Sequence, residues 1–179
     1  MSLIARVSDA LERSAIPHAL IGAGALAVHG VARSTADIDL LTTHPASLDE
    51  GMWLELRSAR AHVEIRRGDA SDPLLGVVRV SSPGERPVDV VVGRAPWQAA
   101  IIARAGPARV GDATLQIVTA PDLILLKLFA GGPQDAWDID QLLERAPELI
   151  AEVDALVTQL PSDCAALWQR IRRARGVSG

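Results

Sequence analysis

Leu20-Ile21-Gly22-Ala23-Gly24-Ala25-Leu26-Ala27-Val28-His29-Gly30 reads as the end of a short strand begun at His18, a glycine-rich turn, and a brief helix that Gly30 ends. A few residues on, Ala36-Asp37-Ile38-Asp39-Leu40-Leu41-Thr42 alternates as a strand with one polar face. Residues two apart on a strand share a face, so Asp37 and Asp39 project side by side. Two carboxylates that close are unfavourable without a cation. They are therefore either well solvated at an edge or placed to bind a hard metal. The turn fits the dinucleotide pattern G-x-G-x-x-A, but a Rossmann unit needs a full crossover helix and an acid at the end of the next strand. Here the helix stops at Gly30 and the acids lie inside the strand. What remains is a turn whose backbone amides suit a phosphate-sized anion, or glycines that serve only a tight turn.

Outward from this stretch, Leu3, Ile4, Val7, Ala10 and Leu11 mark a helix over 3–13 that Pro17 closes. A helix is expected over Leu48 to Arg57. Strands are expected over Ala61 to Arg66, Leu75 to Val80 and Val88 to Val92, a helix from Pro96 to Arg104, and a hairpin over Ala108 to Val118. From Thr119 the pattern turns helical: Thr119 is an N-cap with Asp122 three residues later, and an almost wholly apolar helix runs to Ala130. Gly131-Gly132-Pro133 stops and restarts the chain, and three more helices follow from Gln134, Pro147 and Pro161. The expected fold class is α+β (α/β), a small mixed sheet with packed helices, as a core over 1–118 and a helical C-terminal region over 119–179 packed on it.

The chain has 179 residues, 49% of them apolar, enough for one compact domain or a domain with an appended helical part. Its apolar stretches are too short to span a bilayer and acids come early in its first residues, so a cytoplasmic protein is expected, with no membrane partner. The net charge of −4 argues against binding nucleic acid through bulk electrostatics. The single cysteine, Cys164, excludes an internal disulfide and reads as a small buried hydrophobe. Trp53, Trp97, Trp137 and Trp168 are scattered and read as core or interface residues. The arginines from Arg170 to Arg175 read as a solvated helix end, or as a contact for RNA or a partner protein.

Two further positions carry chemistry. Asp89 lies in Val88-Asp89-Val90-Val91-Val92, where an unpaired carboxylate would be costly. It either joins Asp37 and Asp39 to hold two Mg²⁺ ions, the arrangement used for in-line attack on a nucleotide phosphate, or pairs with an arginine such as Arg33 or Arg79. Lys127 is the only lysine among 18 basic residues and sits in the apolar helix, which points to a need for a compact ammonium. Its stem could equally pack among leucines while the charge snorkels. Asp135 and Asp138 share one helix face; Asp138 is the candidate partner for Lys127, and Asp135 reads chiefly as an acid at a helix N-terminus.

Together, Gly22 to Gly30, Arg33, Thr35, Asp37, Asp39, Asp89 and the later Lys127 with Asp135 and Asp138 resemble the minimal nucleotidyltransferases of the DNA polymerase β superfamily, in particular the AbiEii-type toxins. The likeness runs from about Leu20 to about Leu143. It implies a metal-dependent enzyme that moves an NMP from an NTP to an acceptor hydroxyl on RNA, protein or a small molecule, and a place as the toxin of a toxin–antitoxin or phage-defence pair. It assigns metal binding to Asp37, Asp39 and Asp89, and nucleotide contacts to Gly22, Ala23, Gly24, Arg33, Thr35, Lys127 and Asp138. His29 falls in the helix-end motif and is given a supporting part. As the one lysine, set in an apolar helix, Lys127 is expected to point to the mouth of the carboxylate site near Asp138, where Lys127→Met would remove transfer and leave folding intact. Ala23 departs from the Gly or Ser usual at its position, and the short connection from Gly131 to Gln134 stands where some relatives have an arginine. An inactive binding or regulatory module on the same fold is the alternative.

Overall fold

Helical spacing of Leu3, Ile4, Val7, Ala10 and Leu11 produces α1 (Leu3–Arg13) in the computed structural model, which describes residues 1–176, and those five side chains are buried. The strands are β1 (His18–Leu20), β2 (Ile38–Thr42), β3 (His62–Arg67), β4 (Leu74–Ser81), β5 (Val88–Gly93), β6 (Gly106–Val110) and β7 (Ala113–Ile117). They form one mixed sheet in the order β3-β4-β5-β2-β1-β7-β6. β2 runs parallel to β5 and β1 parallel to β7; the remaining pairs are antiparallel. Besides α1, the helices are α2 (Gly22–Val28), α3 (Leu54–Ser58), α4 (Pro96–Arg104), α5 (Ala120–Ala130), α6 (Pro133–Arg145), α7 (Leu149–Leu156) and α8 (Ser162–Ala174).

The chain divides into two compact units. The first comprises Met1–Ala25 and Arg33–Val118; the second comprises Leu26–Ala32 and the chain from Thr119 onward. In the first, alternate residues of the central strands fill the core: Leu40, Val78, Val80, Val88, Val90 and Val92 are all fully buried. α1 packs on β5 and β7, and α4 packs on β2. The helix expected over Leu48 to Arg57 is instead two short 3₁₀ turns, Pro45–Leu48 and Glu50–Trp53, before α3. Asp49 adopts an extended conformation between them, and the buried Trp53 indole donates to the Ser47 carbonyl at 2.9 Å, a bond that folds the segment back on itself. Asp37 also lies just outside β2, where the Thr35 hydroxyl donates to its Oδ1 at 3.1 Å.

In the second unit α5, apolar but for Asp122 and Lys127, is correspondingly central, with α6, α7 and α8 packed around it. Thr119 caps it by accepting from the Asp122 N–H, and Gly131 ends it at φ +69. Trp168, fully buried, donates to Asp154 at 2.7 Å, and Arg172 joins the same carboxylate at 3.1 Å. Cys164 is buried, and burial pushes its thiol up, so it is an inert core group. Of the four tryptophans only Trp137 is exposed, at 46%. No helix among the described residues is long and apolar enough to cross a membrane.

α1 begins against a carboxylate from far along the chain. Glu85 accepts from the Leu3 N–H at 2.6 Å and from Arg6 at 2.8 Å. Burial alone would raise its pKa, but these bonds together pull the carboxyl below its ordinary value. A group depressed in this way stabilises the fold above its unfolded pKa. Glu85→Gln should therefore lower stability at pH 7 by roughly 1 kcal/mol. In urea melts against pH, the gap from wild type should close as the pH falls below the ordinary glutamate value of about 4.3.

Candidate active site

The register of the sheet assembles the first group. Asp39 on β2 lies directly opposite Asp89 on β5, Asp89 opposite Arg79 on β4, and Arg79 opposite Glu64 on β3. Directly opposed residues share a face, so four charged side chains cross the sheet in one row: acid, acid, base, acid. The opposite face of the same strands carries the buried valines, so the period of two that drives the core also forces this row outward.

Arg79 donates to Asp89 Oδ2 at 2.7 Å and stands 3.6 Å from Asp37 Oδ2. The arginine expected as a partner of Asp89 is thus present, and it also draws in Asp37. Asp89 Oδ1 is buried and has no hydrogen-bond partner. Burial pushes the Asp89 carboxyl above its ordinary range, the Arg79 charge draws it back, and the Asp37 charge adds to the rise. As the side chains stand, no group of three or more His, Cys, Asp or Glu among the described residues is gathered tightly enough to hold a metal ion. The acids are arrayed around a guanidinium instead. The donor set still suits a hard cation: two carboxylates, Asp37 and Asp89, already share one positive charge, and Asp89 keeps a buried oxygen that makes no hydrogen bond.

The glycine turn meets the same row. The Ile21 N–H donates to the Asp39 carbonyl at 2.9 Å, which carries the β1–β2 ladder into the turn. Gly22 has φ +60, and a Cβ built on it would stand 2.2 Å from Asp39 Oδ2. Only glycine allows both that backbone and that approach. Gly24 has a packing reason: a Cβ there would press on Leu20 at 3.1 Å. Ala23 is buried, at 2% exposure. Arg33 and Thr35 lie in the segment leading to β2, and Thr35 holds the Asp37 carboxylate.

Lys127 and Asp138 belong to the second unit. The Lys127 ammonium donates to Asp138 Oδ2 at 2.5 Å and to Asp135 Oδ1 at 3.1 Å; the lysine is 6% exposed and Asp138 fully buried. The lone lysine therefore bridges α5 to α6, with two of its three N–H donors committed. Asp135 also accepts from the Gly132 N–H at 3.1 Å, so it is both helix acid and lysine partner. From sequence Asp135 reads chiefly as the first of these, with Asp138 the candidate partner for Lys127. The signal for the second was its spacing, three residues before Asp138 on the face opposed to the one lysine.

Two substitutions test these assignments. Gly22→Ala should cost roughly 1–2 kcal/mol, part from φ and part from displacing the Asp39 carboxylate. In an Asp39→Ala background the cost should shrink to the φ part, so a double-mutant cycle by denaturant melts should be clearly non-additive. Lys127→Met strips a buried carboxylate of its cation and should destabilise by about 3–5 kcal/mol. The structure thus replaces the expectation that this variant leaves folding untouched, and a thermal melt decides between the two.

No protein-family model matches the sequence and no curated protein matches it. Solved structures do. The antibiotic-resistance factor ANT(2'')-Ia superposes with a TM-score of 0.55 at 15% identity, over 96% of each chain. A putative nucleotidyltransferase from Thermotoga maritima superposes with a TM-score of 0.52 at 11% identity, over 80% of this chain and 91% of that one. At these identities the likeness concerns architecture: the chain has the nucleotidyltransferase fold, a mixed sheet with helices, and its charged row lies on that sheet.

Proposed function

We propose that the chain is a metal-dependent nucleotidyltransferase that moves an NMP from an NTP to an acceptor hydroxyl. The observation that carries this reading is the placement of Asp39 and Asp89 opposite each other on parallel strands, beside the Gly22 turn, with Asp89 Oδ1 buried and unpartnered. Asp37, Asp39 and Asp89 would hold Mg²⁺, two ions being the expected complement, and the metal would supply charge stabilisation for the phosphoryl group. The chain's own residues do the rest. Backbone amides of the Gly22–Gly24 turn orient the β- and γ-phosphates. Asp89, its carboxyl raised by burial, stands ready to take the proton of the acceptor hydroxyl. The hydroxyl oxygen then bonds to the α-phosphorus, the bond to the β-phosphate bridging oxygen breaks, and pyrophosphate leaves. Lys127 serves by joining α5 to α6 within the second unit.

One observation favours a second reading, an inactive binding module on the same fold: Arg79 already neutralises two of the acids. The finer forms of the first reading, an AbiEii-like toxin with a cognate antitoxin and an RNA, protein or small-molecule acceptor, rest on the motifs from Gly22 to Asp39.

The experiment is to incubate the chain with each α-labelled NTP, Mg²⁺ and pools of transfer RNA, protein and small-molecule acceptors, reading label transfer and pyrophosphate. Transfer with one NTP, abolished by Asp39→Asn in a variant with unchanged circular dichroism, is expected. The enzyme reading fails if no NTP with Mg²⁺ raises the melting temperature and no label moves.

A further inference from the structure

Arg79, like Glu64, is a residue of the row whose chemistry the transfer reaction does not use. Its guanidinium reaches both Asp89 and Asp37, and its side chain is 41% exposed, so no packing encloses it on the solvent side. It also has a second place to go. Glu64 lies directly opposite it on β3, on the same face, with its carboxylate on Arg66 at 2.8 Å. Opposed residues on antiparallel strands have Cβ atoms about 5 Å apart, within reach of an arginine side chain. The guanidinium thus has carboxylates on two sides, a pair toward β5 and β2 and a single one toward β3.

We propose that Arg79 is a resident counter-cation. It holds Asp37 and Asp89 while no divalent ion is bound, and passes to Glu64 when one binds. The inference rests on the metal-dependent reading above and deepens it by naming a positioning residue. Three facts support it. The pair of acids needs positive charge in either state, because Asp37 and Asp89 repel. Asp89 Oδ2 is occupied by Arg79 while Oδ1 is buried without a hydrogen bond, so an arriving ion would satisfy the one and must compete for the other. A guanidinium and a divalent cation on one carboxylate repel strongly at a few ångströms. Arg79 therefore keeps the acids ordered and metal affinity low until a nucleotide brings its own phosphates to the ion.

The test is Mn²⁺ binding to the full chain by calorimetry and by electron paramagnetic resonance of free Mn²⁺, with melting temperatures in EDTA, for wild type, Arg79→Gln, Arg79→Lys and Glu64→Gln. Arg79→Gln should melt lower in EDTA and bind Mn²⁺ about fivefold tighter, the scale of a half-exposed ion pair no longer to be broken. Arg79→Lys should restore both values toward wild type. Glu64→Gln, which removes the second berth, should bind Mn²⁺ about twofold more weakly with its EDTA melting temperature unchanged. Should Arg79→Gln be unfolded in EDTA, Arg79→Lys and Glu64→Gln decide the matter by the same readouts. If wild type binds Mn²⁺ and Arg79→Gln binds it no tighter, the counter-cation is overturned while the nucleotidyltransferase reading stands. Glu64→Gln binding as tightly as wild type overturns the transfer to Glu64. Neither wild type nor Arg79→Gln binding Mn²⁺ at millimolar concentration overturns the metal reading and this inference together.

Discussion

Two carboxylates held opposite each other on adjacent parallel strands set the terms for the first unit. The register that puts Asp39 beside Asp89 also buries Leu40, Val88, Val90 and Val92 on the other face. A slip of one residue would drive the acids into the core and the valines outward, so hydrophobic burial locks in an electrostatic conflict. Positive charge eases that conflict, and Arg79 supplies it to Asp89 from the neighbouring strand.

The same economy of placement links the turn to the acids. β1 and β2 are antiparallel, and the Ile21–Asp39 bond continues their ladder to the point where β1 gives way to α2. The glycine turn thus abuts the carboxylate row through main-chain pairing, with no long side chain to position it. Gly22 is fixed by that contact and by its backbone conformation, and Gly24 by the approach of Leu20, so the two glycines of one motif answer to different constraints. A phosphate contact is an additional use of a turn whose shape packing already demands.

In the second unit the one lysine is enclosed between helices with two acids. An apolar central helix gains nothing from a charge unless the charge is paired, and a compact ammonium reaches two carboxylates on a neighbouring helix where a planar guanidinium would need more room. Removing Lys127 leaves the fully buried Asp138 uncompensated, so this cluster specifies how α5 and α6 meet.

Much of this was legible in the chain itself. Period-two apolar runs gave β2, β4 and β5 to within one or two residues, helical spacing gave α1, and an apolar run with Thr119 and Gly131 at its ends gave α5, because burial and capping are local in sequence. Between Leu48 and Arg57 the chain departs from the expected helix because burial of the Trp53 indole, its N–H satisfied by the Ser47 carbonyl six residues back, outweighs helix propensity. Asp37, Asp39, Asp89 and Lys127 stood out as charges in apolar company, and residue type alone determined that each needed a partner. Which partner it has is a property of tertiary structure. Only strand order sets Arg79 between Asp89 and Glu64, only the β1–β2 ladder brings Gly22 onto Asp39, and only the packing of α5 on α6 gives Lys127 two carboxylates, because each of these contacts joins segments whose separation in sequence says nothing of their distance in space.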